Sequence, residues 1–171
     1  MRAALAVVVG LLVLGAALSL SGVGDPTRGW VTTTTPELTA GERGAELTVW
    51  QFARLPTSAF IIEASLDAGP ARWGVEVGAG ASAKQLLIDP QGYVSDQSQP
   101  DWRPFIHVRP GGNRMLVLVE SDGRVVWRVN DEIAWSGALD DSVSHVGVVL
   151  PSGTTPDDVE IDLFAPNDGA R

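Results

Sequence analysis

The sequence predicts an all-β fold, an antiparallel two-sheet sandwich, and three observations carry that reading. First, residues 113–150 hold a strand-length apolar run at 113–120, a Ser121-Asp122-Gly123 turn, and an alternating stretch at 124–129. In that stretch Val125, Trp127 and Val129 share one face, and an Asn130-Asp131 turn then leads to Ile133 and Trp135. Period-2 patterning bounded by Asp-Gly and Asn-Asp turns is hairpin chemistry. Second, about ten such short strands follow one another between residues 30 and 166, with turn formers between them. Third, no amphipathic helical period interrupts them.

The elements follow in order. Met1-Arg2 opens a segment whose residues 3–20 carry no charge, followed by Ser21-Gly22-Val23-Gly24. A basic start, an apolar stretch and small polar residues describe a secretory signal. Residues 3–23 also approach the ~20 residues that span a bilayer as a helix. Residues 1–24 are therefore expected to be a signal peptide or anchor helix. Arg2 is the only charge before the span, and the positive-inside tendency puts the following domain outside the cytoplasm. Residues 25–29 are a linker, 30–166 the sandwich, and 167–171 a tail.

Within the sandwich, residues 30–35 are β-branched and suit a first strand or an extended spacer, and 41–44 reads as a turn. Residues 46–52 alternate, with Leu47 and Val49 opposite Trp50. Residues 59–66 set Phe60, Ile62 and Ala64 against Glu63 and Ser65, and 72–77 groups Trp73, Val75 and Val77. Residues 85–89 and 93–95 flank a Pro90-Gln91-Gly92 turn. A polar loop at 96–100 then leads through Trp102 to a strand expected at 105–108. Strands at 143–150 and 159–164 close the domain.

Composition narrows the function classes. The formal net charge is −9, with a single lysine, Lys84, and no basic run. Nucleic acid requires a cationic surface that releases counterions, so that partner is disfavoured. No cysteine is present, which excludes disulfides, thiolate nucleophiles, thiolate metal sites and N-terminal cysteine lipidation.

The order of motifs resembles the concanavalin A-like lectin/glucanase jelly roll. Its laminin-G-like branch, which includes the 3-keto-disaccharide hydrolase-like domains, is the nearest match. Phe60-Ile-Ile-Glu-Ala64 is similar to that family's F-x-x-E-A strand, and Trp73-Gly-Val-Glu-Val77 to the strand that follows. Lys84-Gln-Leu-Leu-Ile88 with Gly92-Tyr93 is similar to its Y-x-F-x-I…G-x-Y hairpin, Lys84 replacing an aromatic. Asn113-Arg-Met-Leu-Val117 and Trp127-Arg-Val-Asn130 are similar to N-x-L-x-V…Y-V-N-G, with Asp131 where glycine is usual. His145-Val-Gly-Val148 and Val159-Glu-Ile-Asp162-Leu163 match the closing strands, so the resemblance runs from about Trp30 to Pro166. It implies two curved sheets packed face to face, and it does not imply hydrolysis, since many members only bind.

Glycoside hydrolysis needs two carboxylates roughly 5–10 Å apart. Glu160 and Asp162 share a strand face, but the third acid of an E-x-D-x-x-E pattern is missing, Ala165 standing in its place. Glu63 and Glu76 lie on the outer parity of their strands. No catalytic residue is assigned. His107 and His145 lack metal-ligand spacing, and no G-x-S-x-G elbow exists. No metal ligand and no cofactor is assigned. Structural calcium would find hard oxygen donors at Asp140-Asp141 and Asp157-Asp158, without the spaced Asp-x-Asp loop that calcium favours.

Six tryptophans accompany one tyrosine. A ring flush with a sheet surface stacks on a sugar ring while its neighbours bind hydroxyls. Trp73 and Trp127 share parity with valines and belong to the core. Trp50, Tyr93, Trp102 and Trp135 are the candidate ligand-binding residues. The sequence thus reads as an extracytoplasmic, membrane-tethered or secreted, non-catalytic module for a glycan or another envelope component. Two alternatives stand beside it: a sugar-active hydrolase of the 3-keto-disaccharide or glucanase kind, and a structural domain pairing with an envelope protein.

Overall fold

The computed structural model describes residues 30–32, 37–55, 59–67, 69, 71–78, 82–96, 101–139 and 143–166. The leader at 1–24, the linker at 25–29, the tail at 167–171 and Asp140-Asp141 lie outside the described residues.

Thirteen strands among the described residues form two sheets. The six-stranded sheet runs β1 (Trp30–Thr32), β13 (Glu160–Pro166), β4 (Phe60–Leu66), β9 (Asn113–Val119), β10 (Arg124–Val129), β11 (Glu132–Ala138). The seven-stranded sheet runs β2 (Leu38–Arg43), β3 (Leu47–Phe52), β12 (His145–Pro151), β5 (Trp73–Gly78), β6 (Lys84–Asp89), β7 (Tyr93–Ser95), β8 (Arg103–Pro104). Every pairing is antiparallel.

One core joins the sheets. Phe60, Ile62 and Ala64 of β4, Met115, Val117 and Val119 of β9, and Val125, Trp127 and Val129 of β10 meet Trp73, Val75 and Val77 of β5 and Val146, Val148 and Leu150 of β12. These are the alternate positions the period-2 pattern selects. Trp73 and Trp127 have no solvent exposure, and their indole Nε1 atoms find no hydrogen-bond partner among the described residues. An unpaired buried donor costs about 1–3 kcal/mol. Burying roughly 200 Å² of ring returns about 5 kcal/mol, so the apolar term wins at both positions.

Two expectations are corrected. Residues 41–44 are not a turn: the chain stays in β2, with a register shift between Ala40 and Arg43. The reversal comes later, where the Gly44 N–H donates to the Leu47 carbonyl. Gly41 suits a strand here because a Cβ would stand 3.1 Å from both the Gln51 side chain and the Val49 carbonyl oxygen. Nor is 105–108 a strand. The Phe105 N–H donates to Gly92, the Val108 N–H donates back to Phe105, and Ile106 is left 90% exposed in the turn between. Only Arg103–Pro104 adds to the sheet edge.

Asn113 anchors the turn before β9. It is 1% exposed, and its amide donates to the carbonyls of Arg109 and Gly111. Its oxygen accepts from the Arg109 N–H and from Asn130. Asn130 and Asp131 take φ of 50° and 75°, the left-handed pair a tight two-residue hairpin demands.

Candidate functional site

The outer face of the seven-stranded sheet carries three parallel rows of side chains, set by register. In the first row Thr39, Gln51, Gly147, Glu76 and Gln85 are successive cross-strand partners over five strands. Gln85 Nε2 donates to Glu76 Oε2 at 2.8 Å, and His145 Nε2 stands 3.1 Å from Glu76 Oε1. The Glu76 and His145 side chains keep 13% and 21% of their surface. A carboxylate has about four lone-pair sites. Two are taken here, so Glu76 is held fixed while still able to accept. Gly147 leaves a gap in the row, because a Cβ there would stand 2.9 Å from the Trp50 carbonyl oxygen and from Val49.

The second row is apolar. Val49, Val149, Gly74, Leu87 and Ser95 are partners in turn. Val49, Val149 and Leu87 are buried although they face away from the main core, and Leu47 and Trp102 pack against them. Trp102 thus lies on this face, over the apolar row.

The third row holds Leu47 opposite Pro151, and Asp89 opposite Tyr93. Arg72 donates from Nε to Asp89 Oδ2 at 2.9 Å, and its guanidinium sits 4.8 Å from the Trp102 ring centroid. Asp89 Oδ1 accepts from the Gln91 N–H. Glu46, Leu47, Arg72, Asp89, Gln91 and Pro151 line a depression of about 350 Å³.

The four aromatic candidates separate. Trp102 and the exposed Tyr93 share this outer face. Trp50 does not: it pairs with Val148 and packs, half-buried, against the main core. The parity argument had Leu47 and Val49 pointing inward, but both faces of β3 are apolar, and Leu47 and Val49 take the outer one. Trp135 is half-buried against the main core, with Lys84 Nζ 5.1 Å over its ring.

Of the carboxylates considered for hydrolysis, Glu63, Asp162 and Glu160 come together and Glu76 stands apart. Glu63 and Asp162 are cross-strand partners on the outer face of the six-stranded sheet, with Glu160 two residues further along β13 on the same face. Glu63 is ion-paired to Arg114 at 2.6 Å. Glu76 belongs to the other sheet. On its face, Asp89 lies four residues along β6 from Glu76's partner Gln85, roughly 13 Å at strand rise. That exceeds the spacing of a glycosidase pair.

No group of three or more metal-ligating side chains is present among the described residues. Asp158 accepts from the backbone N–H and hydroxyl of Thr155 and closes a short 3₁₀ turn at Pro156–Asp158. The Thr155 N–H is the main reason its carboxyl sits below the usual range. Gln51, Glu76, Gln85 and His145 form the polar row that aromatic reasoning missed. Outer parity was legible for Glu76, but its adjacency to His145, 69 residues away, was not.

The fold is an antiparallel β-sandwich with one polar, partly aromatic sheet face. No protein-family model matches the chain, and no curated protein matches its sequence. Among solved structures it is similar to the carbohydrate-binding module CBM66 from Bacillus subtilis, at 10% identity and a TM-score of 0.44, covering 79% of this chain and 91% of that one. It is also similar to the Caenorhabditis elegans galectin LEC-6, at 11% identity and a TM-score of 0.42, covering 80% of this chain and 94% of that one. The fold assignment rests on the register of the two sheets themselves.

Proposed function

We propose that this protein is a non-catalytic glycan-binding β-sandwich of the concanavalin A-like, laminin-G-like kind. In this reading residues 3–23 export and tether it, so that the domain works outside the cytoplasm on a glycan of the cell envelope. One observation carries the binding role: the Glu76–Gln85–His145 cluster, held by its own hydrogen bonds with Gln51 further along the same row, on the sheet face that also carries the Trp102 ring over the neighbouring apolar row. Sugar hydroxyls both donate and accept, and planar side chains already fixed lose little entropy when they bind. The aromatic ring supplies the apolar contact a pyranose face needs. A net charge of −9 and a carboxylate at the centre favour neutral over anionic sugars.

The test is a titration of the full chain in detergent with neutral and uronic-acid oligosaccharides, by calorimetry, together with Glu76→Ala. Loss of one charge-assisted acceptor should weaken binding at least about tenfold, or ~1.4 kcal/mol. Absence of binding to every oligosaccharide, or full affinity in Glu76→Ala, would remove the reading. Export is tested by protease access to the domain on intact cells.

A further inference from the structure

The outer face of the six-stranded sheet raises a separate question. Phe164, Ile61, Leu118 and Val126 are successive cross-strand partners over β13, β4, β9 and β10, all facing away from the main core. Leu116 adjoins them two residues along β9, on the same face. Ile61 has no solvent exposure and Leu116 only 4%. Lateral neighbours on an open sheet leave the tip of such a side chain wet. On the other sheet, Leu87 and Val149 are equally dry for a visible reason: Trp102 and Leu47 lie against them. Ile61 and Leu116 belong to neither buried cluster formed by the described residues. At the far edge the effect stops, and Ile133 of β11 is 54% exposed.

We propose that this face is the docking surface of the chain's own apolar segment, residues 3–23, whenever that segment is not in a bilayer. The path supports it. The segment leads into β1, which lies at the edge of this same sheet beside β13, with Thr32 paired to Phe164 at the end of the apolar row. Residues 24–29 reach at most ~20 Å when extended, so the patch lies within reach of the segment. The row from Phe164 to Val126 crosses three strand gaps, roughly 14 Å. Ten helical residues suffice to cover that distance. The segment carries no charge over residues 3–20, which suits it to a face of Ile, Leu, Val and Phe. A bilayer and this face are alternative homes for one segment. The inference goes beyond glycan binding, which uses the opposite face.

The chain contains no cysteine, so introduced thiols report without background. Leu118→Cys is combined in turn with Val8→Cys, Leu12→Cys and Ala16→Cys in the full chain, in dilute buffer without detergent or vesicles. A short thiol-to-thiol cross-linker is added and the products mapped by mass spectrometry. Gln51→Cys on the opposite face replaces Leu118→Cys as the control, and Val126→Cys serves if Leu118→Cys does not fold. Intrachain cross-links from position 118, at least fivefold above those from position 51, are expected. Links formed only between chains, equal linking to both faces, no links, or a chain that stays in solution only with detergent each overturn the proposal.

Discussion

Replacing Asn113 with alanine tests whether a single side chain holds the loop before β9. Four hydrogen bonds of 2.8–2.9 Å converge on it: two from its amide to the carbonyls of Arg109 and Gly111, and two to its oxygen, from the Arg109 N–H and Asn130 Nδ2. Leaving a buried group unpaired costs about 1–3 kcal/mol. Arg109 and Gly111 are exposed residues, so water recovers part of the loss at their backbone groups. Asn130 Nδ2 keeps its 2.7 Å bond to the His107 carbonyl. Taking about 1 kcal/mol for each of three effective losses gives ~3 kcal/mol. Urea unfolding followed by fluorescence of the buried Trp73 and Trp127 reads this out. A double-mutant cycle with Asn130→Ala should return a coupling of about 1 kcal/mol. A loss below roughly 1 kcal/mol in Asn113→Ala would refute the argument, because it would mean the loop keeps its shape without the side chain.

Further outcomes are expected. Trp102→Ala uncovers Leu87, Val49 and Val149 and should lower stability by about 2 kcal/mol, measured by urea midpoint, because the ring is only partly buried. Gly74→Ala would drive a Cβ into the backbone of Leu86 on the neighbouring strand; a loss of at least about 2 kcal/mol is expected, and a neutral result would mean that β5 and β6 separate freely. Asp158 and Asp122 both sit below the ordinary 3.8, held there first by the backbone N–H groups of Thr155 and Arg124 respectively. A depressed folded pKa contributes stability that is present above the unfolded value and lost as pH falls through the folded one. Asp158→Asn should therefore flatten the decline of the urea midpoint below about pH 4; an unchanged acid limb would count against it.

Where one face of a strand is buried and the other polar, the sequence was readable. Phe60, Ile62 and Ala64 against Glu63, and Val125, Trp127 and Val129 against Arg128, fall as alternation requires. β3 defeated the same logic, since Leu47 and Val49 serve a satellite cluster on one side while Trp50 and Phe52 serve the core on the other. Parity says that two sets of residues oppose each other, not which set is inside. The strand expected at 105–108 failed for a related reason. Its apolar residues close a turn against Gly92 instead of extending the sheet.

By itself the sequence determined the sandwich, the core tryptophans Trp73 and Trp127, the hairpin turns at 121–123 and 130–131 and the charge that disfavours nucleic acid, because each depends on residues adjacent in the chain. The tertiary structure decided which strands are neighbours, and so placed Glu76 between Gln85 and His145 and set Ile61 beside Phe164 and Leu118. Local pattern fixes the direction of a side chain. Only the pairing of strands distant in sequence fixes its company, and binding faces are made of company.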